Sequence, residues 1–154
     1  MVTTITPATC TKIELEIAID APRETVWAAI FEDVNLWWHP AFRVMGEDST
    51  VTFDPQPGGR GLVESTEDGG LLWFTVQMYL PSQFKIYTFG HIAQDWGGPM
   101  TSTLSLSLQE TEAGCLLQVS DARFGNVDDQ QTQTFLDGWN LLFGDGLKKF
   151  VESK

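Results

Sequence analysis

The chain carries two histidines, His39 and His91, so any acid–base or metal chemistry that uses imidazole must pass through them. His39 stands in Leu36-Trp37-Trp38-His39-Pro40, beside two tryptophans and before a proline. As a general base or ligand it needs an orienting carboxylate or further ligands nearby. No H-x-x-x-H or H-E-x-x-H spacing is present, and neither Cys10 nor Cys115 belongs to a C-x-x-C pair. No metal and no cofactor is therefore expected. A histidine at a helix end, or a polar group in a pocket wall, explains His39 more simply than catalysis.

Asp121 and Arg123 are more telling. If Leu117 and Val119 point inward on the last strand, a period of two carries Asp121 and Arg123 inward as well. A buried charge is costly unless paired, so the two pair with each other or face the wet mouth of a pocket, unless they lie exposed at a frayed strand end, where they carry no role. Asp121 beside an apolar pocket is the best general acid or base in the sequence, with His39 and His91 as further catalytic candidates. Trp37 and Trp38 point about 100° apart on a helix. One at most is expected to face a cavity, while the other packs on the sheet edge or reaches solvent; core packing is the favoured role for either. Trp73, Met78, Trp96, Trp139 and Phe143 complete the ligand-contact candidates, with His39, Asp121 and Arg123. Met78 is an adaptable pocket liner, and Trp96, in Asp95-Trp96-Gly97-Gly98-Pro99, is a lid or a packing anchor. No nucleophile stands beside a base, and no phosphate-cradling or redox motif appears.

The elements that must position these residues follow from periodicity. Residues 1–11 read as a flexible lead-in and 12–154 as a single domain. In Lys12–Asp20, "KIELEIAID", Ile13, Leu15, Ile17 and Ile19 share one face, the mark of a half-buried strand. The next stretch changes to helical spacing: Asp20 can cap, Pro22 suits the first turn, and Val26, Trp27, Ile30 and Phe31 follow. Pro40 biases His39 out of helical geometry, so 34–39 forms a second, short helix. Strands are expected near 43–46, 49–54, 60–66, 71–80, 83–91, 100–109 and 114–124, separated by glycine- and proline-rich turns. From about Val127 a stripe of Phe135, Trp139, Leu142, Phe143, Leu147, Phe150 and Val151 marks one long amphipathic helix, with Gly144 and Gly146 inside it. A meander with one dry face needs that helix to cover it.

Composition narrows the partners. Nine Lys+Arg against 21 Asp+Glu give a formal charge of −12, which argues against nucleic acid and anionic membrane surfaces. No apolar run approaches the length of a membrane span, and two isolated cysteines suit a reducing cytoplasm. The chain is 42% hydrophobic and 12% aromatic. So many large flat side chains can leave a cavity.

Four stretches bear a family likeness. "LEIAIDAPRETVWAAI" (15–30), "WWHP" (37–40), "FDPQPGGR" (53–60) and "DGWNLLFGDGLKKFVES" (137–153) resemble, in order, the opening strand and helix, the "WWgP" corner, the glycine hairpin and the terminal helix of one group. This is the START-like (SRPBCC) superfamily, and within it the family named for the heat-shock-protein-90 ATPase activator homologue. The resemblance implies an α+β helix-grip fold: a curved antiparallel sheet around a long C-terminal helix, with two short helices after the first strand. His39 departs from the family's usual glycine, and Gly144 and Gly146 interrupt a helix that is normally more continuous.

The function expected is binding of a small hydrophobic or aromatic molecule between sheet and helix, by a monomer or homodimer. The resemblance also implies a chaperone partner whose ATPase is activated. A cyclase or hydrolase acting on an aromatic or polyketide-like substrate is the third reading. It requires two of His39, His91 and Asp121 to converge on one cavity.

Overall fold

The computed structural model describes residues 1 and 3–154; Val2, within the lead-in read at 1–11, lies outside the described residues. Strand β1 (Thr9–Ile19) turns at Pro22 into helix α1 (Arg23–Glu32) and the single turn α2 (Val34–Trp37). Then come β2 (Thr50–Asp54), β3 (Gly61–Thr66), β4 (Gly69–Leu80), β5 (Lys85–Ile92), β6 (Met100–Glu110) and β7 (Cys115–Gly125). The seven strands form one sheet in the order β1-β7-β6-β5-β4-β3-β2, antiparallel throughout. A continuous helix closes the chain, with α-helical ends α3 (Asp129–Trp139) and α4 (Lys149–Glu152) and a π-helical middle, Asn140–Lys148. This is the helix-grip α+β arrangement.

Local chemistry sets these boundaries. Asp128 caps α3 by accepting from the Gln131 N–H, while the Gln131 side chain accepts from the Asp128 N–H, a reciprocal capping box. Asp20 does not cap α1 as its position suggested. Pro22 occupies the cap position, and the Asp20 N–H donates to Glu152 Oε1 at 2.8 Å, joining the two ends of the chain's helical layer. The dry face takes Ile13, Ile17 and Ile19 from β1, Leu104, Leu106 and Leu108 from β6, and Leu117 and Val119 from β7. Val26, Ala29 and Ile30 of α1 and Leu142, Phe143, Leu147 and Val151 of the terminal helix close over it.

The expected strand at 43–46 is absent. Residues 43–49 form a turn-rich loop, because the Val44 and Met45 N–H groups donate to the Glu64 carboxylate (3.3 and 2.8 Å) instead of to a neighbouring strand. Gly146 lies where an added Cβ would meet the Trp37 carbonyl oxygen at 2.6 Å. Its lack of a side chain lets the terminal helix sit against the "WWHP" corner. Gly144 faces open space and has no such role.

Candidate functional site

Phe74 and Trp139 line two spaces between the dry face of the sheet and the terminal helix; a third, open groove of about 290 Å³ runs between β1 and α3, from residues 12–14 to residues 129–136. The inner one, among Trp37, Trp38, Leu104, Leu142 and Phe143, amounts to about 20 Å³, room for a single water. The outer one is a pocket of about 200 Å³ walled by Trp73, Trp96, Phe74 and Trp139, with Ser102 and Arg123 at its base. The gap that the sequence suggested as one cavity is therefore filled at one end and open at the other.

The open end rests on β7. Strand alternation buries Asp121 (0% exposed) and Arg123 (4%) beside Leu117 and Val119. The Arg123 Nε donates to Asp121 Oδ2 at 2.7 Å, the Trp139 Nε1 donates to the same oxygen at 2.8 Å, and Ser102 Oγ donates to Oδ1 at 2.5 Å. Asp121 is thus held by three donors and does not line the pocket. Arg123 does. Its guanidinium stacks 3.5 Å from the centre of the Phe135 ring, and Nη1 reaches Met100 Sδ at 3.4 Å.

A second buried carboxylate mirrors this arrangement on β3. Glu64 (0% exposed) accepts from Ser49 Oγ at 2.7 Å and from Trp73 Nε1 at 3.1 Å, besides the two loop N–H groups. The pocket's two tryptophan walls are therefore tethered through their indole N–H groups, Trp139 by Asp121 and Trp73 by Glu64. Trp73 itself sits at a register shift between Leu62 and Val63 of β3, so it and Phe74 both reach the pocket. A bulge of this kind re-aims one side chain.

Residues 20–152 match the family described as activator of Hsp90 ATPase homolog 1-like protein. The chain belongs to that family. No curated protein matches it. Among solved structures it resembles protein MLL2253 from Mesorhizobium loti at 20% identity and a TM-score of 0.66, over 94% of this chain and 98% of that one. It resembles Ara h 8.0201 at 14% identity and a TM-score of 0.68, over 95% and 100%. Protein CV1439 from Chromobacterium violaceum matches at 18% identity and a TM-score of 0.64, over 92% and 96%. At these identities the likeness shows the fold.

Within this activator-homologue domain several expected site residues lie elsewhere. His39, the departure from the family corner, faces neither space. Its Nδ1 accepts from the Ala41 N–H at 3.1 Å and so caps the short turn Pro40–Phe42. Both Trp37 and Trp38 are buried in the core and line the inner space, not the outer pocket. Their indole N–H groups donate to the Ala29 and Phe42 carbonyls, and the rings pack against Phe143 and Trp73 respectively. Met78 is 47% exposed and outside the pocket. An irregularity at Gln77 turns it outward opposite Tyr87 and sends Tyr79 inward, onto Trp27.

His91 borders the pocket, but it pairs with Thr101, one residue out of phase with Gly90 and the buried Ser102. The register puts its side chain on the face opposite Asp121. The convergence that an acid–base enzyme requires is not met. Among the described residues no group of three or more His, Cys, Asp or Glu is arranged to hold a metal, and no helix is long and apolar enough to cross a membrane.

Sequence reasoning missed Glu64 and Ser102. The argument that found Asp121 would have found both, since Glu64 shares parity with Leu62 and Ser102 with Leu104.

Proposed function

We propose that this family member binds a small apolar or aromatic molecule in the outer pocket, against Trp73, Trp96 and Trp139. One observation carries the reading: about 200 Å³ left open between aromatic walls, two of which, Trp73 and Trp139, have their indole N–H groups satisfied by buried carboxylates. Rings held in this way present flat apolar faces at little further ordering cost. Binding draws on apolar burial, at roughly 25 cal/mol per Å² before ordering costs. The volume falls below the roughly 300–1,000 Å³ of drug-sized sites, which fits a ligand of one or two rings. The free thiols of Cys10 and Cys115 suit work in a reducing, cytoplasmic compartment.

A thermal-shift screen of small aromatic compounds tests the proposal. A ligand present at one hundred times its Kd adds about 2.7 kcal/mol of stability, which raises Tm by roughly 5–10 °C in a domain of this size. Unchanged melting across one- and two-ring compounds argues against it. The family match favours a second reading, a partner surface that stimulates a chaperone ATPase. An Hsp90 ATPase rate unchanged by the protein removes that one.

A further inference from the structure

Arg123 is the one Lys or Arg side chain that lines the pocket, and its charge is already answered. Asp121 takes the Nε hydrogen at 2.7 Å and balances the guanidinium inside the protein. The two Nη groups are served differently. Nη1 meets only the thioether of Met100, a weak acceptor, and Nη2 meets no acceptor among the described residues. Arg123, which lines the pocket, thus keeps donors of a charged group that the chain leaves largely unused, in a wall that is otherwise mostly apolar.

Three kinds of occupant fare differently there. A pure hydrocarbon fills the aromatic walls but covers the Nη donors without pairing them, which costs free energy. A carboxylate pairs with them but brings a second negative charge to a site that Asp121 has neutralised, within a chain of net charge −12. That anion is left without a counter-charge in a low dielectric. An uncharged acceptor satisfies the donors and adds no charge. We infer that the pocket selects a molecule with one neutral carbonyl acceptor, a ketone, ester or amide, at the end of a one- or two-ring apolar body, and that Arg123 Nη donates to it. This rests on the pocket reading above and names the chemistry that the pocket prefers.

Isothermal titration of the intact protein with 1-indanone, indane and indane-1-carboxylate tests the preference on one shape. The ketone is expected to bind about tenfold or more tightly than the hydrocarbon, as a hydrogen bond from a charged donor warrants, and tighter than the carboxylate by at least as much. Arg123→Lys, which keeps a cation opposite Asp121, is expected to erase the ketone's advantage while indane still binds. Equal affinity for indanone and indane, tightest binding of the carboxylate, or a ketone advantage undiminished in Arg123→Lys overturns the inference and leaves the pocket standing. No heat with any of the three at about 10 °C and at about 35 °C, where the heat-capacity change of apolar burial must show, together with unchanged melting, overturns the pocket reading and the inference with it.

Discussion

At the corner formed by α1 and α2, Trp37, Trp38 and Phe143 close the gap between sheet and helix to about 20 Å³. At the other end Trp73, Trp96 and Trp139 leave about 200 Å³. Both ends are built from the same residue types, so hydrophobicity alone does not separate them. The indole N–H partners of four of the tryptophans differ. Those of Trp37 and Trp38 bond to backbone carbonyls of their own corner, Ala29 and Phe42, which lets the rings fold onto their neighbours. Those of Trp73 and Trp139 are drawn into the walls by Glu64 and Asp121, which holds the rings apart as walls around a space that nothing in the chain fills. Packing and pocket are thus two uses of one amphipathic side chain, and Trp139, which lines both spaces, serves each with a different part of its ring.

This contrast can be broken experimentally. The largest effect is expected for Asp121→Ala, which leaves Arg123 buried without its partner and frees the Trp139 N–H. Urea unfolding should show a loss of about 3–5 kcal/mol. Phe143→Ala at the packed end should cost about 3 kcal/mol by the same measurement. Trp96→Ala at the open end, where the ring is 47% exposed, should change stability by under about 0.5 kcal/mol and weaken ligand binding. If Trp96→Ala destabilises as much as Phe143→Ala, the two ends are not different in kind.

The glycines sharpen the same point along the terminal helix. Gly146→Ala drives a Cβ into the Trp37 carbonyl and should destabilise by about 1–3 kcal/mol. Gly144→Ala, which meets nothing, should stabilise by up to about 1 kcal/mol. Thermal melts of the two variants should move in opposite directions.

The smallest effect concerns pH. Burial, aided by the nearby charge of Glu24 and opposed by Arg23, pushes the Cys115 thiol above its ordinary 9.0. The folded state therefore favours the protonated thiol. That contribution is whole below pH 9 and is lost as pH rises through the folded-state value. Stability should fall more steeply above pH 9 in the parent chain than in Cys115→Ala.

Much of the fold was legible because its strongest signals are periodic. The alternations at 13–19, 104–108 and 117–123 and the stripe from Phe135 to Val151 each name a face, and those faces are buried apart from the half-buried Leu15, Phe135 and Phe150. Where periodicity is broken by one residue, nothing in the composition marks it. The shift beside Trp73 and the irregularity at Gln77 reverse which side chains face in, and they put Trp73 in the pocket and Met78 outside. The strand expected at 43–46 fails because the Val44 and Met45 N–H groups find a buried glutamate some twenty residues on, a partner that no local pattern marks. His39 was unusual in the sequence for a local reason, its bond to the Ala41 N–H. No arithmetic on the chain could show that the tryptophans fill one end of the gap and wall the other, since that depends on which side chains the finished fold brings together.

The most direct test follows the six tryptophans one by one, in a ¹H–¹⁵N spectrum of the indole N–H groups titrated with 1-indanone. The account predicts that the Trp73, Trp96 and Trp139 resonances move together and saturably, while those of Trp27 and Trp37 stay in place. Movement confined to Trp37 and Trp38, or no movement at Trp96, would contradict it.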